Sequence, residues 1–467
     1  MSVPAEAIVA RAPEAWRPRF HVTGERNWIN DPNGPLQHEG VYHLFFQAHP
    51  HSPFWGPPAW GHVTSTDLVT WRRQAPALAP EAGTADADGC WSGCTRLVDG
   101  RPAIYYTGVV GEDDERVESV CRAWGSDDLL TWEKDAANPL VPRPPAALRS
   151  GYHRDPFLWV DDDGWHMLLG TGTRAGERHG RIVRYDSPDA TDWRYGGVFF
   201  EAPRFEGELD LGEHWECPQL LVDGESAVLI LSCQVPSADQ PLMYAVYFLG
   251  TVRGGRFDGR LGGRLDGGDV FYAPALLRDE SGRDLMWGWA QERLGRDRQA
   301  GLSHAGALTL PRQITTKGGR LLIRQVPELE RLRADRVTDP GKLAGETQLE
   351  LVATVEGRAG AGGWVLRAGD VHAEVLVDLG APQLRVAVAD GGEPRVMAAP
   401  LTARDRYALR VFVDGSLIEV FAADGEAAVT TRAYPDAAGW HAAALRADGG
   451  AQLTDATAWR VRDDVVA

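Results

Sequence analysis

A repeat of about sixty residues constrains this 467-residue chain more than any other feature of its sequence. Three segments share the pattern Ser-x-Asp-x-x-x-Trp, namely STDLVTW (65–71), SDDLLTW (126–132) and SPDATDW (187–193). Their serines are spaced by 61 residues in both intervals, and each pattern predicts a tight turn in which Ser or Asp accepts backbone N–H bonds. A second series runs in phase with it, at intervals of 56 to 64 residues: Asp31, Trp91, Asp155, Glu216 and Tyr272. Together they define five units.

Short runs rich in β-branched and aromatic residues lie between these markers and are separated by Gly, Pro and Asp clusters, which predicts strands. The runs are VYHLFFQA (41–48), PAIYYTGVV (102–110), WHMLLGTGT (165–173), SAVLILSCQV (226–235) and DLMWGWAQ (284–291). No long segment with a helical period interrupts them. Units of this size, each with about four strands, are typical of propeller blades. The sequence therefore predicts an all-β fold that begins with a five-bladed β-propeller within residues 1–325.

The residue pattern of the chain changes after residue 325. Residues 326–336 form a short charged segment that predicts a linker with one helical turn or more. Residues 337–467 contain several alternating strands with frequent turns, as in YALRVFVDGSLIEVFAADG, and this pattern is typical of a β-sandwich. No charge constellation there indicates catalysis, so we expect this domain to be structural or ancillary.

The net charge and the cysteine content of the chain indicate which binding partners and which cellular compartment to expect. The 66 acidic and 48 basic residues give a formal charge of −18, which would repel phosphate backbones and anionic lipids, so we expect neither nucleic acid nor membrane partners. The N-terminal twenty residues lack the pattern of a secretory leader, and no window approaches a membrane-spanning length. Five scattered cysteines do not predict a disulfide framework. These features indicate a cytoplasmic protein.

Metal binding is weakly indicated. Cys90 with Cys94, and His49 with His51, are spaced as ligand pairs could be, but no second pair at zinc-finger spacing joins them. We therefore expect no metal and no cofactor.

Three acids of the second series carry the functional prediction. In a propeller the innermost strand of every blade faces the central channel, so Asp31, Asp155 and Glu216 should converge although they are distant in sequence. Each alone could be a turn aspartate or a surface glutamate, and Asn-Asp-Pro around Asp31 is a strong turn signal. All three together would repel one another, an arrangement that a structural fold has no use for. Acid pairs in different environments cleave glycosidic bonds, so we expect a saccharide substrate.

Ten motifs in order give the chain a family resemblance. They are WINDPNG (28–34), YHLFFQAHPHSPFWG (42–56), WGHVTSTDLVTW (60–71), WSG (91–93), RDP (154–156), WECP (215–218), FYAP (271–274), LTLPRQI (308–314), VFVDGSLIEVF (411–421) and TRAYP (431–435). The sequence resembles glycoside hydrolase family 32, the β-fructofuranosidases, over almost its whole length. The resemblance implies a five-bladed propeller followed by a β-sandwich, which agrees with the repeat.

The resemblance also implies residue roles. Asp31 would be the nucleophile, Glu216 the acid/base, and Asp155 the stabiliser that grips fructose hydroxyls. We expect like-charge repulsion and desolvation to raise the pKa of Glu216. The residues that match sugar-binding positions are Asn30, Gln47, Trp55, Trp91, Ser92, Arg154, Tyr272 and Trp289. Two departures from the family pattern, Pro58-Ala59 and Cys94, are expected near the leaving group.

The predicted function is that of a retaining exo-β-fructosidase acting on sucrose. Sucrose 6-phosphate, levan and inulin are alternative substrates, and a fructosyltransferase would use the same residues. An inverting arabinan-type hydrolase shares the fold but not WINDPNG with WECP. A non-catalytic sugar-binding propeller is the alternative from another class, and it would be expected to lack at least one of the three acids. The sequence leaves the oligomeric state open.

Overall fold

The computed structural model describes residues 12–148, 150, 152–172, 180–236, 242–463 and 465–466. The first eleven residues, on which part of the leader prediction rests, lie outside this range, as does Thr173 of the predicted strand 165–173. Nearly all regular structure in the described ranges is β, which confirms the all-β prediction. In the part of the chain that the structure describes, the one α-helix, α1, is Arg296–Gln299, and the 3-10 helices are Glu14–Trp16, Asp113–Glu115, Ala146–Leu148, Pro327–Leu332 and Ala423–Gly425. Within the same ranges, no helix has the length and apolar content needed to cross a bilayer.

The described strands up to Gln325 fall into five groups that follow the five sequence units, and the third and fourth groups are joined in one sheet through the pair Gly172 and His214. The first group is β1 (Asn27–His38), β2 (Val41–His49), β3 (Ala59–Ser65) and β4 (Arg72–Arg73), and the second is β5 (Gly89–Val98), β6 (Arg101–Val110), β7 (Val117–Gly125) and β8 (Trp132–Lys134). The third is β9 (Tyr152–Asp161), β10 (Gly164–Gly172), β11 (Arg181–Ser187) and β12 (Arg194–Glu201), followed by the short hairpin β13 (Phe205–Glu206) and β14 (Leu209–Asp210).

The fourth group is β15 (His214–Asp223), β16 (Ser226–Val235), β17 (Leu242–Arg253) and β18 (Arg256–Arg264). The fifth contains β19 (Phe271–Arg278), β20 (Asp284–Ala290), β22 (Ala307–Leu308), β23 (Arg312–Lys317) and β24 (Arg320–Gln325), while β21 (His304–Ala305) pairs in parallel with β1. All five strands predicted from the apolar runs are present, each within one or two residues of the expected ends.

The leading strands of the five groups contact one another in a ring. β1 lies against β5, β5 against β9, β9 against β15, β15 against β19, and β19 against β1. The parallel pairing of β21 with β1 joins the fifth group to the first, at Asn27 with His304 and Trp28 with Ala305. Side chains that point inward from these five strands therefore share one central space.

The three Ser-x-Asp turns form as predicted. The carboxylates of Asp67, Asp128 and Asp189 each accept backbone N–H bonds from residues two or three positions later, at 2.7–3.1 Å. In every case the next residue is left-handed: Leu68, Leu129 and Ala190 have φ between 57° and 62°. The repeat in the sequence is thus a repeated turn at the outer end of the first three groups.

The remaining strands form two sheets. One has the order β25-β35-β26-β31-β32-β33 and the other β30-β29-β28-β27-β34. Their bounds are β25 (Arg333–Val337), β26 (Gln348–Glu356), β27 (Ala361–Ala368), β28 (Val371–Asp378), β29 (Gln383–Ala389), β30 (Arg395–Pro400), β31 (Arg406–Asp414), β32 (Leu417–Ala422), β33 (Ala427–Arg432), β34 (Ala442–Asp448) and β35 (Gln452–Val461). One hydrophobic cluster, with Trp364, Val375 and Val411 fully buried, fills the space between the sheets.

A buried charged cluster joins the two regions, and we call it the seam cluster: His21, Asp266, Arg312, Asp414 and Glu419. The His21 ring contacts Asp414 Oδ2 at 2.8 Å and Glu419 Oε1 at 2.9 Å. Arg312 donates to Asp266 at 2.7 Å and to Glu419 Oε2 at 2.6 Å. These contacts bring side chains of β23, β31 and β32 into one buried network.

Candidate active site

A cavity of about 500 Å³ opens on the ring of leading strands. It is lined by all eleven residues that the sequence singled out: Asn30, Asp31, Gln47, Trp55, Trp91, Ser92, Arg154, Asp155, Glu216, Tyr272 and Trp289. The other lining residues are Trp28, Arg116, Tyr152, His214, Gln234 and Met243. The structure therefore brings together residues that lie up to 259 positions apart, while the chemical role of each stays a prediction.

Each leading strand carries a bulge at its motif, and this bulge aims the functional side chain. Register shifts occur at Asn30-Asp31 in β1, at Ser92 in β5, at Asp155-Pro156 in β9, at Cys217-Pro218 in β15 and at Ala273-Pro274 in β19. Proline cannot donate to a ladder, so it is placed at a bulge. The residue before each of the last three prolines is left-handed, with φ between 46° and 62°. Such strained backbone is common at functional sites.

Asp31 is held by a ring of short hydrogen bonds. Its Oδ2 accepts from Ser92 Oγ at 2.6 Å, and its Oδ1 accepts from Asn30 Nδ2 at 3.1 Å. Gln47 bridges these two partners, accepting from Asn30 at 2.7 Å and donating to Ser92 at 2.6 Å. Trp28 Nε1 fixes the Asn30 amide from the other side, at 2.9 Å. The carboxylate is thus oriented on both oxygens.

Asp155 and Asp31 meet at Cys217. The Cys217 thiol lies 3.6 Å from Asp31 Oδ2 and 3.6 Å from Asp155 Oδ2. The Cys217 backbone N–H also donates to Asp155 Oδ2 at 2.9 Å, and Thr107 Oγ1 accepts from the Asp155 backbone N–H at 2.8 Å. The bulge residues of β9 and β15 are therefore tied directly to each other.

Glu216 has a different set of neighbours. Its carboxylate accepts from Arg154 Nη1 at 3.2 Å, from Tyr272 Oη at 2.6 Å, and from Gln234 Nε2 at 2.9 and 3.0 Å. His214 Nε2 lies 3.9 Å from the same group. Glu216 thus accepts four hydrogen bonds, one of them in its ion pair with Arg154. This is more than either Asp31 or Asp155 accepts.

The protonation pattern differs from our expectation for Glu216. Burial raises the pKa of Asp31 to about 6, opposed by the Ser92 hydrogen bond and reinforced by the charge of Glu216. Burial and the charge of Glu216 raise the pKa of Asp155 to about 8, against the pull of Arg154. The pKa of Glu216 is lowered, because Arg154, His214, Tyr272 and Gln234 together outweigh burial. The expected rise was wrong because sequence alone did not place these donors around the carboxylate.

Aromatic rings form the walls of the cavity. Trp55 is 54% exposed at the mouth and meets Trp91 edge to face, with ring centroids 5.8 Å apart. Trp289 packs edge to face on Trp28 at 5.4 Å. The indole nitrogens of Trp91 and Trp289 are buried and have no hydrogen-bond partner among the described residues. Apolar ring faces with unused N–H donors fit a sugar, which presents both C–H faces and hydroxyls.

Sequence reasoning missed several residues around Glu216, among them Gln234, His214 and Glu118. Gln234 was detectable in principle, because it pairs with His214 across the ladder of β15 and β16, beside Glu216. Glu118 is 3% exposed, and its Oε1 lies 3.2 Å from Arg154 Nη2. Arg116 directly precedes β7 and Glu118 lies within it, so the alternation Arg116-Val117-Glu118 in extended backbone places two opposite charges on one side, which is the signal that could have found it.

Pro58-Ala59 and Cys94, the two departures from the family pattern, were expected near the leaving group. Cys94, Pro58 and Ala59 are not among the residues that line the cavity. Cys94 is 3% exposed and packs in a hydrophobic cluster with Tyr105. Cys94 therefore does not face the cavity as predicted, because the bulge at Ser92 changes which side chains of β5 do so. That Pro58 and Ala59 neighbour the leaving group stays a prediction.

The pairs considered as metal ligands have other surroundings. Cys90 and Cys94 fall in separate hydrophobic clusters, and His49 Nδ1 contacts the Phe54 carbonyl oxygen at 3.0 Å. Among the described residues, no group of three His, Cys, Asp or Glu side chains has the arrangement of a metal site. All five cysteines are buried free thiols.

Comparison with known proteins identifies related sequences and folds. The family model for the glycosyl hydrolases family 32 N-terminal domain matches residues 21–327, and that for the family 32 C terminal matches residues 328–460. A raffinose invertase from Escherichia coli is 32% identical over 97% of this chain and 97% of its own length. A sucrose-6-phosphate hydrolase from Bacillus subtilis is 31% identical, covering 90% of this chain and 89% of its own.

Solved structures show the same similarity. The GH32 β-fructofuranosidase BmSUC1 of Bombyx mori is 25% identical and superposes with a TM-score of 0.80, covering 97% of this chain and 95% of that one. Fructan 1-exohydrolase IIa from Cichorium intybus has a TM-score of 0.82 at 23% identity, with 98% and 99% coverage, and indicates a shared fold.

Proposed function

This chain belongs to glycosyl hydrolase family 32, and we propose that it is a retaining exo-β-fructosidase that hydrolyses terminal β-D-fructofuranosyl residues, with sucrose as its first substrate. One observation carries the proposal. Asp31 and Glu216 reach one cavity from two different strands, and their hydrogen-bond partners differ completely. Two carboxylates in unlike environments are what a retaining glycosidase needs.

In the first step Asp31 attacks the anomeric C2 of the fructosyl unit, and Glu216 protonates the departing oxygen. Ser92 and Asn30 hold the two Asp31 oxygens, so little reorganisation of the nucleophile is required. The Asp31 carboxyl, with its pKa at about 6, is ionised at neutral pH and can form the covalent ester.

Asp155 binds fructose hydroxyls, and its protonation is linked to that of Glu216. In the free enzyme, burial and the charge of Glu216 raise the pKa of Asp155 while the pKa of Glu216 is lowered, so Asp155 holds a proton more tightly than Glu216 does. Hydroxyl groups that donate to Asp155 stabilise its ionised form, so that substrate binding favours the protonated form of Glu216. Glu216 then delivers its proton to the leaving glucose.

In the second step Glu216, now a carboxylate, removes a proton from water, and that water attacks C2 and releases fructose from Asp31. The donors around Glu216 stabilise the carboxylate needed at this stage. A fructosyltransferase differs only in whether a sugar hydroxyl takes the place of this water.

The fold and the domain limits are part of the same proposal. We infer that the five strand groups are the blades of a five-bladed β-propeller, since their leading strands contact one another in a ring. We assign residues 1–325 to this catalytic domain, 326–336 to the linker and 337–467 to a β-sandwich, and the last residues of the linker already pair with β35 as part of β25. The five buried free thiols support a cytoplasmic location, where cysteines stay reduced.

A cleft beside the active site favours a second candidate, hydrolysis of short fructans. A cavity of about 730 Å³ shares Trp28, Trp55, Met243 and Trp289 with the active site and continues to Val396 and its neighbours in β30. A disaccharide fits within the active-site cavity alone, whereas a longer chain would need this second space for its leaving portion.

Incubation with sucrose, 1-kestose, inulin, levan and sucrose 6-phosphate, followed by product chromatography, tests both candidates. We expect equimolar glucose and fructose from sucrose, and ¹H NMR should show β-fructofuranose as the first product. Fructose release from kestose at a comparable rate would support the second candidate. Binding of sucrose without any release of fructose would contradict the enzymatic proposal, and α-fructofuranose as first product would contradict retention.

A further inference from the structure

Glu118 is a buried acid for which the mechanism above has no use. It lies in β7, outside the residues that line the cavity, and its side chain is 1% exposed. Its Oε2 accepts the backbone N–H of His153 at 2.7 Å, and its Oε1 lies 3.0 Å from Arg116 Nε and 3.2 Å from Arg154 Nη2. A buried carboxylate is costly unless it is paired, and here both oxygens are used.

The same guanidinium serves two carboxylates. Arg154 Nη1 donates to Glu216 at 3.2 Å, and Nη2 lies 3.2 Å from Glu118 Oε1 in an ion pair without hydrogen-bond geometry. Its planar fork lies over the rings of Trp91 and Tyr152, at 5.0 and 4.7 Å from their centroids, which restricts its orientation. Arg116, Glu118, Arg154 and Glu216 thus form a chain of alternating charges that ends at the acid/base.

We propose that Glu118 is a positioning residue for the acid/base step: it holds Arg154 in place and takes a share of its charge, so that Glu216 can still carry a proton. The inference rests on the proposed function and deepens it. Without the charge of Glu118, the charge of Arg154 would act on Glu216 and Asp155 only. Glu216 would then remain ionised under conditions in which a general acid must be protonated.

Other charged groups facing Glu216 are Asp155 from β9, His214 from its own strand and Asp31 from β1, with Tyr272 from β19 as a polar neighbour. Of these groups, His214 also responds to the charge of Glu118, which opposes the lowering of the His214 pKa by burial. The direct link from Glu118 to Glu216 is Arg154, which lies 3.2 Å from each carboxylate, and Arg116 pairs with Glu118 on its other side.

The test is the pH dependence of kcat/KM on two substrates. Glu118→Gln keeps an acceptor for the His153 N–H but removes the charge. We expect the alkaline limb of the sucrose profile to move to lower pH by about one unit. Activity on sucrose at pH 7 should fall about tenfold, whereas p-nitrophenyl β-fructofuranoside, whose leaving group needs no proton, should lose less than about threefold.

Two further variants and a control make the result decisive. Glu118→Asp keeps the negative charge, so the alkaline limb of the sucrose profile should lie close to its wild-type position. Arg116→Gln removes the other cation that pairs with Glu118, so the charge of Glu118 acts more strongly on Arg154 and the alkaline limb should move to higher pH. Glu133→Gln, an exposed acid on β8, should match wild type. Equal losses on both substrates with unmoved limbs would overturn the inference. If the wild-type enzyme releases no fructose from either substrate, the proposed function itself fails.

Discussion

The active site and the seam cluster both bury several charged groups, but the carboxylates of the seam cluster are fully paired whereas two acids of the active site are not. In the seam cluster, each of the six oxygens of Asp266, Asp414 and Glu419 accepts at least one hydrogen bond, mostly from Arg312, His21 or backbone N–H groups. The pKa of Glu419 is accordingly lowered, since Arg312 and His21 outweigh burial. The active site instead holds two acids, Asp31 and Asp155, whose pKa values burial raises.

We interpret the paired carboxylates of the seam cluster as groups that stabilise the fold, and Asp31 and Asp155 as groups that take part in catalysis. A fully paired buried cluster contributes to stability only as a whole, and loss of one member leaves the others unsatisfied. A poorly compensated acid costs stability at neutral pH but stays reactive. We therefore expect mutations in the active site to reduce activity and mutations in the seam cluster to reduce stability, and four experiments test this difference.

The largest expected effect is the loss of activity in Asp31→Asn. The amide is nearly isosteric but cannot attack C2, so kcat should fall at least about 10⁴-fold while the circular dichroism spectrum is unchanged. Stopped assays of fructose release from sucrose measure this. A variant that keeps more than a few per cent of activity would remove Asp31 from the mechanism.

Glu216→Ala should depend on the leaving group. Glucose needs a proton to depart, so turnover of sucrose should fall about 10³-fold, whereas p-nitrophenyl β-fructofuranoside should lose much less. Added azide should accelerate the latter by replacing the base-activated water. Equal losses on both substrates without an azide response would show that Glu216 positions the sugar and is not the acid.

In the seam cluster, Arg312→Met should destabilise the protein without changing the chemistry. The change leaves Asp266 and Glu419 buried without their cation, and we expect a loss of about 3–5 kcal/mol in the free energy of unfolding. Urea titration measures this, and kcat of the folded fraction should stay at the wild-type value.

The matched control is Arg358→Met, whose ion pair with Asp405 is largely exposed, at 86% and 67%. Its effect should lie within about 0.5 kcal/mol. Similar losses for both arginines would mean that burial of the seam cluster does not decide its contribution to stability.

The smallest effect is a gain in stability from Asp31→Asn. The folded pKa of Asp31, about 6, lies above its ordinary value of 3.8, so the native state binds the proton more tightly and wild-type stability falls as pH rises between these values. The amide removes this penalty and should stabilise the protein by about 1–3 kcal/mol at pH 7, and by nothing below pH 3. Thermal unfolding at both pH values is the measurement, and a destabilised variant at pH 7 would contradict the comparison.

The sequence was sufficient for the strands of the five units and for eleven of the residues that line the cavity. The turns at Asp67, Asp128 and Asp189 were predictable because a short side chain bonding to its own backbone is a local interaction. The spacing of the acid-bearing motifs placed Asp31, Asp155 and Glu216 at one phase of a repeat, so their convergence followed once the units were taken as equivalent.

The sequence did not reveal the electrostatics of the site. The pKa of Glu216 is lowered rather than raised, because donors from β9, β16 and β19 surround it. The misplacement of Cys94 has a related cause, since one bulge residue in β5 alters which side chains face the cavity. Neither effect is visible from residue spacing.

What the sequence by itself determined is the periodicity: five strand units, the turns between them, and the set of residues at each leading strand. Tertiary structure alone decided how charge is shared among those residues, including the position of Glu118 against Arg154. The physical reason is range. Turns and strands depend on contacts within a few residues, whereas a buried carboxyl responds to every charge and donor within several ångströms, and these are supplied by strands far apart in the chain.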